Sequence, residues 1–139
     1  MYIMVCFCIN WGLNMDTIEC IKKRRSRRSY IDKDISKEIL KDIVDCGKMA
    51  ATARNIQPFE FIVVKDKDML IKISELSPNG AFIKGANAAI IVISEDTKYY
   101  LEDGSAATEN ILLAARSYSI ASCWIAGDKK EYADEVLKL

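Results

Sequence analysis

Apolar residues fall into two kinds of run along this chain. In the first kind they recur every three or four positions. Ile39, Leu40, Ile43 and Val44 make one such stripe, which at 3.6 residues per turn is a single helical face. Ser36 ahead of it is a good N-cap, so a helix is expected from Ser36 to about Met49. Ile18 and Ile21 behind Asp16 predict a shorter helix to about Arg24. Met69, Leu70, Ile73 and Leu76 predict a third. A fourth is expected from Asp103 to Tyr118, with small residues at Ala106, Ala107, Ala114 and Ala115 that let another helix approach closely. A last one is expected to begin at Lys129. In the second kind of run the apolar residues are consecutive. FEFIVV (59–64), NAAIIVIS (87–94) and ASCWIAG (121–127) read as strands, the middle one apolar enough for a buried central position. Residues 25–35 and 51–58 read as loops, the second closed by Pro58. SPNG (77–80) reads as a turn in which Asn79-Gly80 supplies positive φ. The alternation of helices and strands predicts a layered α/β or α+β domain. The pattern stops on a helix, and the expectation is of a domain that continues further.

The opening MYIMVCFCINWGLN fits none of these elements. It is apolar and uncharged, too short for a transmembrane helix, and lacks the basic start and small-residue cleavage site of a secretory signal. Asp16 can cap the helix that follows. Residues 1–15 are therefore expected to be a dispensable extension, with an extra edge strand or a partner contact as the alternative. Residues 16–139 are expected to form the domain.

The chain has 139 residues, which favours one domain, and half of them are apolar, enough for a core. Its 20 basic and 20 acidic side chains cancel. A dedicated nucleic-acid binder carries a basic excess over the whole domain, so nucleic acid is not an expected partner, and neither is a membrane. There is no histidine, which excludes Ser-His-Asp and Cys-His nucleophiles and His-ligated metals. The five cysteines, Cys6, Cys8, Cys20, Cys46 and Cys123, are odd in number and form no C-x-x-C. That suits reduced thiols in the cytoplasm, with no metal site. Chemistry then needs carboxylates or a borrowed cofactor.

Against this neutral background, IKKRRSRRSY (21–30) puts six Lys or Arg among the seven positions from Lys22 to Arg28. Three readings stand open. The run is a solvated helix end that meets the helix dipole, a nucleic-acid patch, or a phosphate cradle. Arg24, Arg25 and Arg28 carry planar forks suited to bidentate phosphate contact, and Ser26 adds a hydroxyl donor between them.

The wider pattern chooses. RRSRRSY followed by ISKEILKDIVDCGKMAATARNIQPFEFIVVKD resembles the opening of the nitroreductase family of flavoproteins, with its Arg-rich phosphate motif, helix, Asn-x-Gln-Pro-aromatic loop and strand. YYLEDGSAATENILLAARSYSIASCWIAG resembles that family's central helix and following strand, with Asp103, Ala106, Ala107, Asn110, Leu113, Ala114 and Ala115 fitting the helix. The resemblance covers about residues 16–139. It implies an α+β fold of three α/β/α layers around a mostly antiparallel sheet, lacking the family's C-terminal segment. It implies a cytoplasmic homodimer with FMN at the subunit interface. Such an enzyme passes electrons from NADH or NADPH to nitroaromatics, quinones or related small acceptors, and no side chain need act as catalyst. Arg24, Arg25, Ser26 and Arg28 would hold the phosphate. Asn55 would reach the flavin ring or ribityl chain from the other protomer, with Thr52 and Gln57 beside it. Cys123, Trp124 and Ile125 would lie on the strand next to the flavin, although Trp124 by itself reads better as core and nothing makes Cys123 look activated. Asp103 reads as a helix-start residue rather than an acid catalyst. Departures from the family pattern are Ala51 and Thr52 for Pro-Ser, Arg54 for a small residue, and Ser119 and Ala121 for the glycines of a helix-to-strand corner. The competing expectation is a non-catalytic FMN-binding protein or heterodimer partner.

Overall fold

Three helices begin on side-chain caps, and the sequence offered two of them, Asp16 and Ser36. Asp16 accepts from Glu19 N at 2.9 Å and opens α1 (Thr17–Lys23). Ser36 accepts from Ile39 N at 3.3 Å and opens α2 (Lys37–Lys48). Asp66 accepts from Met69 N at 2.9 Å and opens α3 (Lys67–Leu76). Each bond satisfies an amide that has no partner inside its helix. The fourth helix, α4 (Tyr100–Ser117), starts one turn before the expected Asp103 and lacks a side-chain cap. These elements come from a computed structural model that describes residues 2–9, 16–127 and 138. The helix expected from Lys129 lies outside the described residues.

The strands are β1 (Tyr2–Ile9), β2 (Phe59–Val64), β3 (Ala88–Ser94) and β4 (Ile120–Gly127). They form one sheet in the order β2-β3-β1-β4, antiparallel at every pairing. The opening segment is thus neither a tail nor an edge strand. β1 lies inside the sheet, with Val5 opposite Ile90 on one side and Trp124 on the other. Met4, Val5, Cys6 and Phe7 are at most 1% exposed. The physical reason is the absence of alternation: a strand covered on both faces needs apolar residues at odd and even positions alike. That continuous run is what made the segment look featureless.

Two layers of helix cover the sheet. Val5 and Phe7 join Ala88, Ile90, Val92 and Ile120 on the face that packs against α2 and α4, through Ile43, Ile111, Leu112 and Ala115. Met4 and Cys6 join Ala89, Ile91 and Ile125 on the opposite face, against Leu70 and Ile73 of α3 and Ile83 of a short 3₁₀ turn, Ile83–Gly85. The result is the expected three-layer α+β fold.

The close approach foreseen for α4 is made with α2. Asn110 Nδ2 donates to Cys46 O at 3.2 Å. A Cβ on Gly47 would stand 2.8 Å from Ile111 Cγ1 and 3.2 Å from Phe61 Cε1. Gly47→Val is expected to overpack this crossing and cost about 1–3 kcal/mol, read as a lower urea midpoint at unchanged slope.

Two corners depart from expectation. The SPNG turn uses no positive φ. Gly80 N donates to Ser77 O at 2.9 Å, closing a turn with Pro78 at its second position. Glycine is needed for space, since a Cβ there would fall 2.2 Å from Ser77 Oγ and 2.5 Å from Ile83 Cδ1. At the α4–β4 corner Ser119 does adopt left-handed backbone, φ 58°, and its buried Oγ has no hydrogen-bond partner. Glycine takes that conformation without steric cost. Ser119→Gly is therefore expected to stabilise the protein by about 1 kcal/mol, measurable as a raised urea midpoint.

Candidate functional site

The basic run leaves α1 at Arg24 and lies alongside β4. Ser26 forms a parallel bridge with Ser122, and Arg27 N donates to Ser122 O at 3.0 Å. This pairing draws the arginines over a small cavity of about 70 Å³. Lys23, Arg24, Arg25 and Arg27 line it from the run, Arg116 from the last turn of α4, and Ser122 from β4. Two neighbouring carboxylates offset part of this charge: Lys23 is ion-paired with Glu19, and Arg24 Nε lies 3.7 Å from Glu109 Oε1. Arg25 Nη1 is turned onto Arg24 O at 2.9 Å.

The inner wall has donor capacity to spare. Arg116 Nε and Ser122 Oγ are buried and bond to nothing among the described residues. Buried donors without acceptors are costly, and both residues line the cavity. The chemistry of the wall therefore fits a phosphate group: planar forks, a hydroxyl and a local excess of positive charge. Lys23, Arg27, Arg116 and Ser122 were not singled out as site residues from the sequence. For Arg27 the signal was present in the run itself. Arg116 is one basic residue in a helix's last turn, and Ser122 is one serine in a strand. Neither carries a pattern.

Arg28 stands apart from this group. Its guanidinium carbon lies 5.7 Å from the centroid of the Phe82 ring, and it is not among the residues lining the cavity. Ser26 is exposed and meets β4 through its backbone.

The second predicted cluster is the loop 51–58. Its centre is a 3₁₀ turn, Ala53–Asn55. Arg54, Asn55 and Gln57 all adopt left-handed backbone, with φ 57°, 56° and 53°. Thr52 Oγ1 accepts from Gln57 N at 3.1 Å, so Thr52 acts within the loop. Asp103 Oδ1 accepts from Ala53 N at 3.0 Å. The side chains of Asn55 and Gln57 are exposed.

The two clusters do not meet in one chain. The loop is tied to Asp103 in the first turn of α4, while the cavity is built on Arg116 in its last. From 103 to 116 is 13 positions, about 20 Å along the axis and about 220° around it. Residues on β4 are split as well. Cys123 and Ile125 are buried on the α3 side, whereas Trp124 is half-buried on the α2–α4 side. Neighbouring strand residues point to opposite faces, so the side chain of Trp124 lies on one face of the sheet and those of Cys123 and Ile125 on the other.

Cys123 sits directly opposite Cys6, both at most 1% exposed. Burial, with Cys123 adding to it, pushes the Cys6 thiol well above its ordinary range. Thiolate is the reactive form. Alkylation of the native protein at pH 8, mapped by mass spectrometry, is expected to label half-buried Cys46 well before Cys6 or Cys123.

Among the described residues no helix is long and apolar enough to cross a membrane. No group of three or more Cys, Asp or Glu among them could hold a metal ion.

Comparison with known proteins gives this arrangement a family. The model of the nitroreductase family matches residues 21–103, which takes in both the basic run and the loop. A relative from Archaeoglobus fulgidus, named for NADH dehydrogenase/NAD(P)H nitroreductase activity, is 45% identical over 77% of this chain and 67% of its own. The solved FMN-dependent nitroreductase of Clostridium difficile superposes with a TM-score of 0.81 at 35% identity, over 87% of this chain and 78% of that one. A nitroreductase with bound FMN from Bacteroides fragilis gives a TM-score of 0.74 at 26% identity, over 89% of this chain and 79% of that one. The chain spans 60 to 67% of the length of the first two curated relatives it matches. With its arginine run, its loop and its three-layer sheet all matched in order, the chain belongs to the nitroreductase family.

Proposed function

We propose that the chain binds FMN with the phosphate in the basic cavity. As a cytoplasmic homodimer it then serves as an NAD(P)H-dependent oxidoreductase acting on nitroaromatic, quinone or related acceptors. The observation that carries the reading is the inner wall of the cavity, where Arg116 Nε and Ser122 Oγ are buried without acceptors beneath Lys23, Arg24, Arg25 and Arg27. Arg24 and Arg25 approach the phosphate from outside, Arg27 is fixed by its backbone bond to Ser122, and Arg116 closes the base. Arg28, held over Phe82, stands beside this set rather than in it. FMN, when bound, supplies the redox chemistry, taking hydride from a nicotinamide and passing electrons to the acceptor. A chain without histidine then needs only to bind, orient and exclude water.

The separation of the two clusters supports the dimer. Asn55 and Gln57 face outward on a preformed loop, at the far end of α4 from the cavity. A second protomer can bring its loop to the first protomer's cavity. The names of the Clostridium difficile and Bacteroides fragilis proteins support FMN as the cofactor.

The test is direct. The purified full chain should bind FMN on titration, sediment as a dimer when loaded, and oxidise NADH or NADPH in the presence of a quinone. Flavin bound without turnover would favour the non-catalytic alternative. A monomer that holds FMN tightly would overturn the shared site.

A further inference from the structure

Of the described acids, only Asp103 is buried, at 5% exposure. A buried carboxylate is expensive unless its oxygens find donors. Here Oδ1 accepts from Ala53 N at 3.0 Å, and Oδ2 is buried and bonds to nothing among the described residues. The position in the first turn of α4 helps, because that end of a helix favours negative charge. It does not require burial.

What the carboxylate holds is the unusual part of the molecule. Arg54, Asn55 and Gln57 are three non-glycine residues in left-handed backbone within four positions. Each is less favourable there than in right-handed backbone, and such conformations persist only where the surroundings over-determine them. One end of the loop is tied to the sheet, where Glu95 N donates to Pro58 O at 2.8 Å. The other end is tied to Asp103. Between the ties, Asn55 and Gln57 point to solvent.

We propose that Asp103 is a positioning residue, whose carboxylate clamps the left-handed turn so that Asn55 and Gln57 are presented to the cofactor in a preformed array. This rests on the flavin reading above. Asp103 touches no reacting atom; it acts through the loop.

The experiment uses the full chain and three readings: hydrogen exchange at the Ala53 amide, trypsin cleavage after Arg54, and FMN titration. In the wild type the Ala53 amide should be protected although it lies in a loop. Asp103→Ala should speed cleavage after Arg54 about tenfold and weaken FMN about tenfold, the scale of one lost bond to a charged group. Asp103→Asn keeps an oxygen acceptor and should restore both towards wild type, a rescue that a general loss of stability would not give. Should Asp103→Ala fail to fold, Ala53→Pro removes the donor instead. Thr52 already has the extended backbone that a following proline demands, φ −127° and ψ 151°. Its FMN affinity should fall by a similar factor. An Ala53 amide that exchanges like an open loop, or FMN affinity unchanged in the variant that folds, overturns the proposal. A wild type with a protected Ala53 amide but no affinity for FMN overturns the flavin reading, and the positioning role with it.

Discussion

A chain that begins at residue 16 will not fold. Removing β1 takes Met4, Val5 and Phe7 out of the two cores, each at most 1% exposed. At about 1.5–3 kcal/mol for each fully buried side chain, the three contribute roughly 5–9 kcal/mol. A domain is stable by only about 5–15 kcal/mol in all. The backbone loss adds to this. β1 is the sole link between β3 and β4, so its removal leaves two strands about 10 Å apart, twice the normal spacing, with facing edges unpaired. Such edges recruit other chains. Circular dichroism in urea should show a cooperative transition for the full chain and none for residues 16–139, with the shortened chain aggregating. Phe7→Ala is the milder form of the same test and should cost about 3–5 kcal/mol. A soluble, cooperatively folding chain of residues 16–139 would show that β1 is an ornament after all.

The double substitution Arg24→Ala/Arg116→Ala is expected to cost FMN binding about 3–6 kcal/mol, at roughly 1.5–3 kcal/mol for each bond to a charged group. That is between roughly a hundredfold and roughly twenty thousandfold in Kd. Lys22→Ala is the control. Lys22 is exposed and does not line the cavity, so its loss should change Kd little. Riboflavin, which has the same ring and no phosphate, isolates the effect. If the arginines hold phosphate, the double variant and the wild type bind riboflavin alike. Equal losses for FMN and riboflavin would mean that the substitutions damage the fold rather than a phosphate site. Equal small losses from Arg24, Arg116 and Lys22 would return the run to surface charge.

How much of this was legible in the sequence depended on how local the signal was. Ser36 before Ile39, Leu40 and Ile43 states a helix within one turn, and α2 is there. FEFIVV states β2, whose bounds match to the residue. The arginine run announced itself by charge alone. Arg116 did not, because what makes it part of the cavity is the return of β4 beside residues 26 and 27, a contact across almost the whole chain. The role of β1 was hidden for the same reason. Its partners lie at 88–93 and 120–127, with no hairpin turn to point to either. Cys123, Trp124 and Ile125 stand side by side in the sequence, and the pleat divides their side chains between two faces.

The pairing of Tyr2 with Gly127 also has a consequence in time. Strand β1 must wait for both of its partners, and longest for β4. At about 5–20 residues per second, β3 follows β1 by roughly 4–17 s and β4 by roughly 6–25 s, and until β3 arrives Met4, Val5, Cys6 and Phe7 have no strand to pair with. Topology of this kind makes folding slow, because the largest loop must close before its contacts can repay the entropy. The nascent chain therefore carries an uncharged, sticky strand until β3 emerges, and its yield in the cell should respond to chaperones that shield such segments.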